Sequence, residues 1–104
     1  KLSPDKDVLV ATNYIKEVLK QLKGTKPSFK DIRQIIANSG VNDYEELFRA
    51  LFDHASLYAP ELEGSIAVVL NEHLYQANFR IDKEINIMSA IAKIIELKKS
   101  NTII

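Results

Sequence analysis

Apolar residues recur three and four positions apart along most of this chain, the period of an amphipathic helix, and nowhere does a convincing run of alternation suggest a sheet. From Asn13, the residues Ile15, Val18, Leu19 and Leu22 form a first stripe that Gly24 ends. Ser28 with Asp31 three residues on resembles a capping box and opens a second helix, striped by Phe29, Ile32, Ile35 and Ile36 and stopping near Ser39-Gly40. Asn42 or Asp43 caps a third, whose wide apolar face carries Tyr44, Leu47, Phe48, Leu51, Phe52 and Ala55. Pro60 lies at or near the first turn of a fourth helix running to about Ala77, and Asp82 caps a fifth running to about Lys99. The expectation is an all-α, compact five-helix bundle: residues 13–99 form one domain, 1–12 a linker or frayed lead-in, and 100–104 a tail. Ser3-Pro4-Asp5 offers an alternative helix start, and Val8-Leu9-Val10 a brief extended segment.

The last two helices carry more apolar surface than one stripe. In the fourth, Leu62, Ile66, Val69 and Leu70 align, and Ala67, Val68 and Leu74 widen the band. In the fifth, Ile85, Met88, Ile91, Ala92 and Ile95 make one line and Ile87, Ala90, Ile94 and Leu97 a neighbouring one, leaving Glu84, Asn86, Ser89, Lys93 and Glu96 as the polar sector. A peripheral helix of a small bundle needs a single stripe. Either the fifth helix is central in the domain, or its second line is covered by another subunit.

Composition removes several function classes. At 104 residues and 46% apolar content the chain supports one modest core. Fourteen basic residues balance fourteen acidic ones, so net charge asks for neither a polyanion nor an anionic membrane. The absence of cysteine excludes disulfides and thiolate zinc sites. The longest apolar run, Ile66 to Leu70, falls far short of the roughly 20 residues that span a bilayer, so no membrane partner is expected. The chain opens at Lys1 without an initiator methionine or a signal-peptide pattern, which fits an excised piece of something longer; processing would leave the same trace.

Candidate chemistry is sparse. ANSGVNDYEELFRAL at 37–51 has the outline of a DNA-reading helix-turn-helix, but its second helix sets Asp43, Glu45, Glu46 and Asp53 against Arg49 alone, the wrong sign for phosphates; a helical hairpin with an acidic outer face explains it better. Lys16, Lys20, Lys23, Lys26, Lys30 and Arg33 form the better-supplied region for weak phosphate contact, and a small nucleic-acid-binding module using 16–33 is the alternative function. His54 and His73 lack metal-ligand spacing and read as surface or boundary residues, the serines lack a nucleophile elbow, and the isolated glycines make no phosphate loop. No catalytic, cofactor-binding or metal residue is assigned, and an enzyme is not expected. Tyr44, Phe48 and Phe52 most simply fill the core. Arg80, after Tyr75 and Phe79, could hold the turn, pair across an interface or stand exposed.

YIKEVLKQLKG at 14–24, FKDIRQII, DYEELFRALFD and LNEHLYQANFRIDKEINIMSAIAKIIEL at 70–97 resemble, in order and spacing, the C-terminal collar domain of sliding-clamp loader small subunits, closest to the T4-like phage form and more distantly to replication factor C. The likeness spans roughly 13–98 and rests on no single diagnostic motif. The chain departs from the cellular pattern of a small residue before the acid-led last helix and a basic residue after its glutamate. The resemblance implies an AAA+ ATPase subunit in which this piece, itself without cofactor, packs helix to helix with other loader subunits. ATP and magnesium, the sliding clamp and primer-template DNA would be bound by domains outside this chain, in the cytoplasm of an infected bacterium. By that likeness Tyr75, Phe79, Ile87, Ala90, Ile91, Ile94 and Leu97 would lie at subunit interfaces.

Overall fold

The computed structural model describes residues 4–77, 79 and 82–103, with side chains between 13 and 100 of that span. Six helices stand among the described residues: α1 (Pro4–Lys23), α2 (Phe29–Ser39), α3 (Glu45–Asp53), α4 (Ala55–Tyr58), α5 (Glu63–Gln76) and α6 (Lys83–Ile103). The protein is all-α, as the periodicity predicts. The sixth element arises because the expected third helix breaks at His54, leaving α4 as a single turn. Tyr58 ties that turn back, its buried hydroxyl donating to Leu51 O at 2.7 Å, and burial pushes its ionisation above the usual phenol range.

Three other boundaries differ from the sequence reading. α1 starts at Pro4, inside the stretch expected as a linker: proline suits a first helical position, Asp5 and Asp7 suit the positive end of the dipole, and nothing between them and Asn13 interrupts. The Ser3 cap of that reading lies outside the described residues. α6 continues through the expected tail to Ile103, since 98–103 holds neither glycine nor proline to stop it. α5 begins at Glu63 rather than Pro60. Pro60 and Glu61 form the preceding turn, closed by Leu62 N donating to Ala59 O at 3.0 Å, and Glu61 takes the left-handed φ of 74°. Proline disfavours helical backbone at the residue before it, and Ala59 accordingly leaves the helical region at φ −149°, ψ 66°, which delays the helix.

The other caps match. Ser28 accepts the Asp31 amide at 3.2 Å, Gly40 closes α2 in the left-handed conformation that glycine tolerates best, Asp43 accepts the Glu45 amide at 3.1 Å, and Asp82 accepts that of Ile85 at 3.0 Å. α1 packs on α2 and α4, α3 on α5, and α6 on both α5 and α2. Although α2 and α3 are consecutive, neither is the other's main neighbour, so the expected hairpin over 37–51 is not a packed pair. The core joins Tyr14, Val18 and Leu22 of α1 to Ile32 and Ile36 of α2, Leu47, Phe48 and Leu51 of α3, Ile66 and Leu70 of α5, and the inner lines of α6.

One core group lacks a partner. The Tyr14 hydroxyl is buried without a hydrogen bond, and desolvation, then the nearby Tyr44, Glu46 and Asp43, raise its pKa to about 12. Tyr14→Phe removes that orphan and keeps the ring, so it is expected to raise unfolding free energy by about 1 kcal/mol in urea titrations. The raised pKa also means that in the wild type the unfolded chain ionises first. Tyr14 therefore costs stability as pH climbs from about 10 towards 12, a loss that the phenylalanine variant lacks.

Candidate subunit interface

The interface expected on the last helix is corrected by where its side chains lie. Ile87, Ala90, Ile91 and Ile94 are all 0% exposed within the single chain, Met88 and Ile95 are buried, and Leu97 is half-buried against the same core. Of the two alternatives for this helix, the central position holds for both lines apart from Ile85 and Ala92. α6 packs against both α5 and α2, and together with the rest of the core they bury both lines apart from Ile85 and Ala92. A side chain with no exposed surface offers nothing to another subunit.

Tyr75 and Phe79 are placed differently. They stand 65% and 56% exposed at the end of α5, stacked edge to face with ring centroids 5.2 Å apart. Arg80, which follows them, lies outside the described residues. Surplus apolar surface remains on α5 and at Ile85 near the start of α6. Ile66, Leu70 and His73 face the core, whereas Val68 and Leu74 from the widened band stay exposed. Leu74 lines a groove of about 490 Å³ between α5 and α3 with Phe48, Ala67, Leu70 and Phe52. Phe52 is exposed, a correction to its expected core role; Arg49, paired with Asp53 at 3.1 Å, lies 5.5 Å above its ring. A second apolar groove, of about 320 Å³, runs between α2 and α6 under Phe29, Ile85, Met88 and Ala92, with Arg33 and Glu84 4.0 Å apart on its rim.

The six cations expected to contact phosphate weakly are all exposed, but the fold divides them. Lys20 and Lys26 line an α1–α2 depression, while Arg33 belongs to the α2–α6 groove with Glu84.

The two histidines occupy different environments, His54 exposed at the α3–α4 break and His73 buried. Among the described residues no group of acids and histidines is arranged to hold a metal ion. His73 Nδ1 lies 2.7 Å from Val69 O and Nε2 lies 3.3 Å from Ser89 Oγ. Because a carbonyl can only accept, Nδ1 carries the proton and Nε2 accepts from the serine when the ring is neutral. From α6, buried Asn86 Nδ2 donates to His73 O at 2.8 Å. Sequence reasoning put Asn86 and Ser89 in a solvent-facing sector and missed this bridge. The available signal was that asparagine lies one position before Ile87, next to the inner line.

Compared with known proteins, the chain matches no family model, no curated protein and no solved structure. Among the described residues, no helix is long and apolar enough to cross a membrane.

Proposed function

We propose that the chain is a non-catalytic assembly domain of the clamp-loader collar kind, a helical module that packs against neighbouring subunits and helps hold AAA+ ATPase modules in a ring around their work at primer-template DNA. The observation that carries the assembly reading is the exposed Tyr75–Phe79 pair beside Val68 and Leu74, because aromatic side chains left bare on a small bundle are typical anchors of protein contacts. The likeness of the helical blocks, in order, to clamp-loader collars supplies the identity of the assembly. Linking ATPase modules through such a domain raises their effective concentration and fixes their geometry, so that one module's active site meets its neighbour's trans-acting group without a bimolecular search. ATP, magnesium and the sliding clamp belong to other domains in this reading.

The test is sedimentation velocity on the chain across a concentration series, beside Tyr75→Asp and Phe79→Asp. Wild type is expected to self-associate. Each charged variant should weaken association about 30-fold, the effect of losing an aromatic anchor worth roughly 2 kcal/mol, with helical content unchanged because both side chains are exposed. Wild type that stays monomeric at its solubility limit, or variants that associate as it does, would contradict the interface. ATP turnover by the purified chain would contradict the non-catalytic assignment.

A further inference from the structure

Net neutrality hides a segregation of charge along the bundle. Asp43, Glu45 and Lys83 line one groove, and Asp82 and Glu84 lie close enough to Tyr44 to act on its hydroxyl, so five acids counting Glu46 gather where α3 and α6 begin. Sixteen residues further along α6, about 24 Å at 1.5 Å per residue, the opposite end is basic. There Lys98 Nζ donates to Leu22 O and to Gly24 O at 3.3 Å, fastening the end of α6 to the end of α1. That contact sets the end of α1, with exposed Lys20 and Lys23, and the exposed Lys26 that follows it, at this end of the bundle.

Several features separate this end from an ordinary solvated face. Lys16, Lys20 and Lys23 recur at i, i+4 and i+7 on one side of α1, spaced about 6 and 4.5 Å along the axis. All are exposed, and the two ion pairs among the described residues, Arg33–Glu84 and Arg49–Asp53, engage none of them, nor Lys26. Lys20 and Lys26 flank an open depression of about 530 Å³ whose other polar lining is Gln21, Thr25 and a single acid, Glu17. Lysines complement the negative end of a helix within its last turn. That role accounts for Lys20 and Lys23 but not for Lys16, more than a turn back, or Lys26, beyond the helix.

We propose that this end of the bundle docks the phosphate backbone of a nucleic acid, with Lys20 and Lys26 at the centre and Lys16 and Lys23 extending the contact along α1. Charge complementarity selects the partner. An anionic membrane would also supply phosphates, but surface insertion wants apolar side chains beside the cations, and among the described residues no large exposed apolar side chain borders this depression. Readout is of phosphate alone: the depression offers ammonium, amide and hydroxyl groups and no aromatic platform for bases. The surface does not use the helix-turn-helix outline, whose second helix lies at the acidic end, and it stands independently of the collar reading.

The experiment is fluorescence anisotropy of a labelled mixed-sequence oligonucleotide, single-stranded and duplex, titrated with the whole chain. With about four phosphates neutralised, affinity between 50 and 200 mM salt should fall about 150-fold for the duplex and about 50-fold for the single strand, and depend little on sequence. Lys20→Glu/Lys26→Glu should abolish binding, and the milder Lys20→Gln/Lys26→Gln should lower the salt slope by about 2, with helical content unchanged in both. Lys93→Glu, on the exposed side of α6, should match wild type. The proposal is overturned by no binding at 50 mM salt, by equal losses from Lys93→Glu, by binding that survives both double variants, or by capture on phosphatidylserine vesicles in preference to the oligonucleotide. It is equally overturned if the double variants abolish self-association instead, since the basic end would then be meeting the acidic end of a second copy.

Discussion

Ile94→Asp is expected to unfold the chain rather than split an assembly. Ile94 has no exposed surface and sits in the same core as Ile87, Ala90 and Ile91, between α5 and α2. A carboxylate there loses the isoleucine's burial and leaves a charge without a partner, a penalty of several kcal/mol. A domain of this size holds only about 5–15 kcal/mol in all. Circular dichroism should show lost helicity or a melt lowered by tens of degrees, and Ile87→Asp should behave alike. Ile94→Val, which removes one methylene, should cost about 0.5–1.5 kcal/mol and keep the cooperative transition. A soluble, fully helical Ile94→Asp chain with a wild-type melt would show that this line faces outward after all.

The contrast with α5 shows what hydropathy patterns can decide. Two apolar lines on the last helix require two coverings, and the pattern alone left open whether one came from another subunit. The fold buries both apart from Ile85 and Ala92, and α6 is the helix that packs on α5 and on α2. The widened band of α5 looked less demanding, yet its neighbours α3, α4 and α6 bury Ile66, Leu70 and His73 and half-bury Val69, leaving Val68 and Leu74 in solvent. A helix's apolar content reports how much must be covered; which neighbour covers it is a property of the packing. Phe52 illustrates the same limit, since its four-residue spacing from Phe48 and Tyr44 predicts a common face. The helix ends one residue later, and the ring is left on a rim under Arg49.

Local chemistry was more legible. Ser28, Gly40, Asp43 and Asp82 each perform the capping or turn role their side chains or backbone freedom predict, since a cap is set by residues within one turn of each other. Long-range polar contacts were not legible. Lys98 reaches carbonyls 76 and 74 residues away, and burial lowers its pKa; nothing in a lysine near a helix end distinguishes that role from simple dipole complementation. His73 and Asn86 are likewise joined only once α5 and α6 pack. Of the candidate interface, Tyr75 and Phe79 are the residues the structure leaves exposed from those that the resemblance implied.

The α5–α6 bridge supports the second large effect. Asn86→Asp changes no volume, but it replaces the amide that donates to His73 O with a group that, when ionised, can only accept. The buried carboxylate would then face a carbonyl oxygen already bonded to Ala77 N at 3.0 Å, an opposition that Lys83, exposed on the same groove, offsets only weakly. Leaving such a charge unpaired costs about 3–5 kcal/mol near neutral pH. Burial and the opposing carbonyl both favour the protonated acid, so its folded pKa must rise above the unfolded value of about 3.9. Between those two values the native state binds the extra proton. The deficit relative to wild type therefore grows as pH rises above about 4, reaches its full size above the folded pKa, and shrinks in acid, where the protonated group can again donate to His73 O. Urea unfolding of both proteins across pH 3.5 to 8 measures the difference directly. A deficit that does not change with pH would place the introduced carboxylate in water and break the bridge between α5 and α6.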